Sequence, residues 1–164
     1  CILTKGEGYC VAKATLLCAL ARAVGIPARL GFATVRNHLA TRQLIEYIGS
    51  DVFVYHGYTE FFLQDRWVIA TPAFNKELCI RHGVKPLDFD GTQDSIFQAF
   101  NRKRRKYMEY LEYHGSYDDV PVETIVKAWK QVYGVERVEG WIEMYERSGG
   151  IIKRNFLNED VITD

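Results

Sequence analysis

Apolar residues recur at three- and four-residue steps between Cys10 and Val24, where Val11, Ala14, Leu17, Cys18, Ala21 and Val24 form one stripe. This spacing predicts an amphipathic helix that begins after the loop residue Gly8. Gly25 supplies its stop and Pro27 prevents continuation. The pattern then changes. Ala28–Val35, Val52–Leu63 and Arg66–Thr71 are rich in β-branched and aromatic residues and predict strands. Gln64–Asp65 reads as a two-residue hairpin turn, which pairs Leu63 with Arg66 and places His56 opposite Ala73, with Thr71 diagonally beside it on the same face. Asn37 and His38 fall in a polar connection, and Asn75–Thr92 reads as loop punctuated by Pro86 and Gly91. Apolar spacing over Arg102–His114, Val122–Tyr133 and Val138–Arg147 predicts three helices, stopped by Gly115, by Gly134 and before Gly149–Gly150. The tail from Asn155 is polar and is expected to fray. No internal repeat or low-complexity linker interrupts the chain. The expectation is a single domain over 1–164 with a helical extension over 101–150.

Composition changes this picture little. Of 164 residues, 48% are apolar and 26% charged, which is the balance of a packed globular domain. Lys plus Arg and Asp plus Glu stand at 21 each, so no net field draws the chain to nucleic acid or to an anionic membrane. The basic run Arg102–Lys106 is read as a solvated helix face, with no nucleic-acid-binding pattern beside it. No apolar run approaches the ~20 residues of a membrane span. The chain opens on Cys1 rather than Met, so a trimmed N-terminus is expected.

Four cysteines (Cys1, Cys10, Cys18, Cys79) are too sparse for a disulfide scaffold. Cys10 and Cys18 lie about 12 Å apart along one helix and cannot bridge. Free, mostly buried thiols in a reducing, cytoplasmic setting are therefore expected. Cys79 and His82 have C-x-x-H spacing but lack two further ligands at workable spacing, so neither a metal nor a cofactor is expected.

The candidate chemistry begins with Cys10, where a glycine-containing loop, Lys5–Gly8, turns into a helix. The dipole and free amides there are expected to lower its thiol pKa and to serve as donors for an oxyanion. His56, with the polar Thr71 diagonally beside it, fits a general base with an orienting partner. Asn75, Asp88 and Asp90 are alternative orienters. Tyr9, Tyr55 and Trp67 either line a substrate cleft or belong to an ordinary aromatic core. Asn37 either joins that cleft or caps its own loop.

Two stretches carry a family resemblance. GYCVAKATLLCALARAVGIPAR resembles the nucleophile helix and following strand of transglutaminase-like proteins, and HGYTEFFLQDRWVIATP resembles their histidine strand and the next one, continuously from about Gly6 to Pro72. The resemblance implies an α+β, papain-related fold, with a nucleophile helix packed on an antiparallel sheet and C-terminal helices added. It implies Cys10 as nucleophile and His56 as base. The reaction implied is acyl transfer at a peptide or protein amide, with hydrolysis favoured because no amine-binding or calcium-loop pattern is visible. The sequence departs from the family at the third position, where A-T-P places Thr71 in the usual position of Asp. A weak or inactive domain that only binds a peptide or protein is the alternative.

Overall fold

The computed structural model describes residues 2–6, 8–148 and 159. Cys1, Glu7, Gly149–Gly150 and most of the tail from Asn155 lie outside the described residues. The elements are α1 (Ile2–Lys5), α2 (Cys10–Ala23), β1 (Ala28–Asn37), α3 (Arg42–Ile48), β2 (Val52–Leu63), β3 (Arg66–Ala70), α4 (Lys76–His82), β4 (Met108–Tyr117), α5 (Val122–Tyr133) and α6 (Val135–Arg147). The architecture is α+β, with one antiparallel sheet in the order β3-β2-β1-β4.

The hairpin forms in the expected register, from Leu63↔Arg66 to Thr59↔Ala70. Its turn is made by two residues with positive φ, Gln64 at 50° and Asp65 at 60°. That is the conformation whose twist matches a two-residue hairpin, here adopted without glycine. One face of the sheet is covered by α2 and α5. Ala14, Cys18 and Ala21 pack there with Leu30, Phe32, Phe61 and Ile125. Small residues on α2 permit a close approach, and the Thr59 hydroxyl donates to the Ala14 carbonyl at 2.9 Å. The opposite face holds Ala33, Val35 and Tyr58 under Cys79, Val84, Phe97 and Tyr107. Cys18 and Cys79 are free, buried thiols, as expected.

One expected helix is a strand. Arg102–His114 does not coil: residues 102–106 form a tight loop, and β4 pairs with β1 from Asn37↔Met108 to Leu30↔Tyr117. Tyr107, Tyr110, Leu111 and His114 have helical spacing, but without β4 the buried strand β1 would carry a row of unpaired amides and carbonyls. The Asn101 side chain also takes the backbone N–H groups of Lys103 and Arg105, which competes with a helix over the basic run. Among the described residues, the helical content of 101–150 is therefore α5 and α6. Two short helices replace expected loops. α3 is capped by Thr41, whose Oγ1 accepts from Leu44 N–H, and stops at Gly49 (φ 82°). α4 is capped by Asn75 in the same way and stops at Gly83 (φ 64°). Within the tail expected to fray, Glu159 is buried, and its carboxylate accepts the Thr41 hydroxyl. Among the described residues, no helix is long and apolar enough to cross a membrane.

Candidate active site

Cys10 opens the first turn of α2, directly after Tyr9 in extended backbone (ψ 172°). Its thiol is approached by the N–H groups of Gly57 and Val11 and by its own. Gly57 is the residue after His56. β3 ends at Ala70, opposite Thr59, so β2 has lost that neighbour by the level of Gly57. The thiol thus faces a backbone donor that a longer β3 would have met. The fit is close: a Cβ at Gly57 would stand 3.0 Å from the Val11 Cα.

His56 follows a bulge. Between Ala33↔His56 and Val35↔Phe53, two residues of β2 oppose one of β1. Tyr55 absorbs the extra length with φ 58°, a conformation that bulky residues seldom adopt. The imidazole is 5% exposed and packs against Phe97, with ring centroids 5.0 Å apart. Its Nε2 has no hydrogen-bond partner among the described residues, and neither has the Thr71 hydroxyl, also 5% exposed. Thr71 directly follows the last residue of β3, Ala70, which pairs with Thr59, and it lies beside Tyr110, which packs with the Phe97 cluster that holds His56. Its hydroxyl adjoins the Tyr110 phenol without the geometry that would satisfy Oγ1. Two orphaned polar atoms beside one packed aromatic cluster mark a site where native structures normally supply partners.

Electrostatics here departs from the sequence expectation. The Cys10 thiol pKa is raised, because burial outweighs the three amides and the nearby Lys13, all of which lower it. Burial alone pushes His56 down to about 4. At neutral pH the resting groups are therefore a thiol and a neutral imidazole. The helix N-terminus acts in the expected direction, but desolvation is larger.

The other expected site residues are spread more widely. Tyr9 is 51% exposed at the α2 cap, close to the thiol in sequence. Tyr55 is 9% exposed and stacks on His114 at 4.2 Å, within the core beside Phe32. Trp67 is 39% exposed beneath the Arg29 guanidinium, paired with Phe62. Six residues separate Phe62 from His56, or about 20 Å of strand. Asn37 is buried at the end of β1, where its Oδ1 accepts from Leu39 N–H at 3.0 Å. Among the alternative orienters, the Asn75 side-chain oxygen caps α4. Asp88 and Asp90 are exposed, and Asp90 accepts from Thr92. Cys79 is buried beside Tyr107, and His82 stacks on Phe74.

Three residues beside the candidate pair were given no role in the sequence reading. Gly57 was signalled only by following His56 on a strand otherwise built of large residues. Phe97 lies in a segment without periodicity. Lys13 sits one turn after Cys10, and its ammonium donates to the Ala73 carbonyl at 2.8 Å.

Compared with known protein families, residues 2–72 match the transglutaminase-like superfamily. No curated protein and no solved structure gives a match.

Proposed function

From the match of residues 2–72 to the transglutaminase-like superfamily, we propose that the chain performs acyl transfer at an amide or peptide bond, with Cys10 as nucleophile and His56 as general base, and that water is the acceptor. The observation that carries this reading is the meeting at Gly57. The N–H of the residue that follows the histidine faces the cysteine thiol and favours its ionised form, while His56 Nε2 on β2 and Thr71 Oγ1 just past β3 have no hydrogen-bond partner among the described residues.

His56 takes the thiol proton as the sulfur attacks the substrate carbonyl carbon. Both electrons of the carbonyl π bond move to oxygen, and the Val11 and Cys10 amides at the α2 N-terminus stand ready to receive that oxyanion. Collapse breaks the C–N bond, and the imidazolium returns its proton to the leaving amine. A water then attacks the thioester, giving one proton to His56. The acid leaves, and the proton returns to sulfur. Thr71 Oγ1 would accept the imidazole N–H and fix its tautomer, although it adds no charge to stabilise imidazolium. Tyr9, half exposed beside the nucleophile, is the aromatic residue best placed to meet a substrate.

A non-catalytic binding domain is the second reading. It is favoured by the resting neutrality of both groups and by the missing carboxylate. A mixed peptide digest assayed for newly released amines separates the two. Cys10→Ala should melt like the wild type and lose at least about a thousand-fold in turnover. A folded Cys10→Ala protein with undiminished turnover would contradict the mechanism.

A further inference from the structure

The proposed Cys–His pair lacks the carboxylate that ordinarily supports the imidazolium. Thr71 is neutral, and burial around His56 opposes any positive charge there. If Cys10 is the nucleophile, a thiolate forming on it needs a counter-charge from elsewhere. Among the described residues, two titratable side chains interact electrostatically with the thiol, beside the His56 base assigned above. Tyr133 on α5 feels the sulfur, but its hydroxyl is committed to Val54 N–H and Val52 C=O, and its pKa is pushed up to about 12. The other is Lys13.

Lys13 lies three residues after Cys10, on the same face of α2, where side chains stand about 5–6 Å apart at Cβ. Its half-buried ammonium is fixed by the 2.8 Å hydrogen bond to the Ala73 carbonyl. That bond crosses from α2 to the chain leaving β3, two residues past Thr71. Among the described residues, that bond uses one of the ammonium's three N–H donors. A lysine amine would normally keep its charge in open water. Holding it against the sheet beside a cysteine has an evident electrostatic return only when that cysteine ionises.

We propose that Lys13 is the positioning residue and counter-charge for the Cys10 thiolate, so that this site draws its electrostatic assistance from the nucleophile's own helix rather than from a carboxylate behind the histidine. The proposal rests on Cys10 being the nucleophile, and it also fixes the geometry. The same ammonium ties the α2 N-terminus to the strand end that carries Thr71. The interaction is mutual. The ammonium lowers the thiol pKa, and the sulfur raises the pKa of the amine against the burial that depresses it.

The test reads Cys10 without requiring turnover. Iodoacetamide alkylation of the intact chain is followed from pH 6 to 11, and modification at Cys10 is quantified by peptide mass spectrometry. Lys13→Met should move the Cys10 ionisation upward by about one pH unit or more. Lys13→Gln, which keeps a donor for Ala73 without charge, should move it equally, whereas Lys13→Arg should restore most of the wild-type profile. A Lys13→Met profile that superimposes on the wild type would overturn the proposal. So would full restoration by Lys13→Gln, which would reduce Lys13 to a tether. Should the Lys13 variants fail to fold, NMR titration of the Lys13 amine in Cys10→Ser decides. A lower amine pKa than in the wild type supports the pairing, and an unchanged one defeats it. Failure here leaves Cys10→Ala turnover as the separate measure of the acyl-transfer reading.

Discussion

At the scale of single residues, burial decides the chemistry. Cys10 has the helix N-terminal amides that favour a thiolate, and His56 has a strand position that suits a base, yet desolvation holds both neutral at rest. For His56 the consequence reaches stability. Its pKa is about 4 in the folded chain against an ordinary 6.5, so the folded state binds its proton less readily than the unfolded one. The stabilisation is complete above pH 6.5 and is lost as pH falls toward 4, by up to about 3 kcal/mol. Urea unfolding between pH 4 and 7 should show that loss in the wild type and a flatter dependence in His56→Gln. Equal slopes for the two proteins would mean that the imidazole is solvated or charged in the folded chain. Residue chemistry was only half legible beforehand. The contexts of Cys10 and His56 made them the candidates, but the sign of the thiol shift depends on how deeply α2 seats on the sheet, which no local motif encodes.

At the scale of elements, what could be read was what is local. The α2 stripe, the Val52–Leu63 strand and the Leu63↔Arg66 register each follow from short-range periodicity and a two-residue turn. β4 could not be read in this way. Its tyrosines satisfy helical spacing as well as strand alternation, and the deciding factor is β1, some 70 residues earlier in the chain, which needs a second hydrogen-bonding partner. α3 and α4 did carry legible signals, a Thr41 or Asn75 cap followed by a glycine stop, but each is only 7 residues long, too short for periodicity to emerge. The α2–β2 contact makes its own prediction. Gly57→Ala would set a methyl group 3.0 Å from the Val11 Cα, a backbone atom that cannot rotate away. The helix should lift from the strand, with a destabilisation of about 1–3 kcal/mol and slower Cys10 acylation, because the Gly57 N–H moves with it. Thermal melts identical to the wild type would show the contact to be looser than described.

At the scale of the whole molecule, the parts converge on the edge that β2 exposes once β3 has ended. Trp129 donates to the Val54 carbonyl, Tyr133 OH bridges Val52 and Val54, the Gly57 N–H faces the Cys10 thiol, and Lys13 holds Ala73. Helices from opposite ends of the chain thereby blunt one strand edge, which would otherwise invite pairing with another chain. Cys10 is one of the residues at that edge, so under the proposed function forming the fold and assembling the site are the same event. Acylation of Cys10 itself tests this account most directly. The chain is mixed at neutral pH with p-nitrophenyl acetate, quenched over time, and the acyl group is located by peptide mass spectrometry. The account predicts a thioester on Cys10, absent in Cys10→Ala and formed at least about a hundred-fold more slowly in His56→Ala, because a thiol that is neutral at rest depends on its general base. Acylation confined to other residues, or a Cys10 rate indifferent to His56, would contradict it.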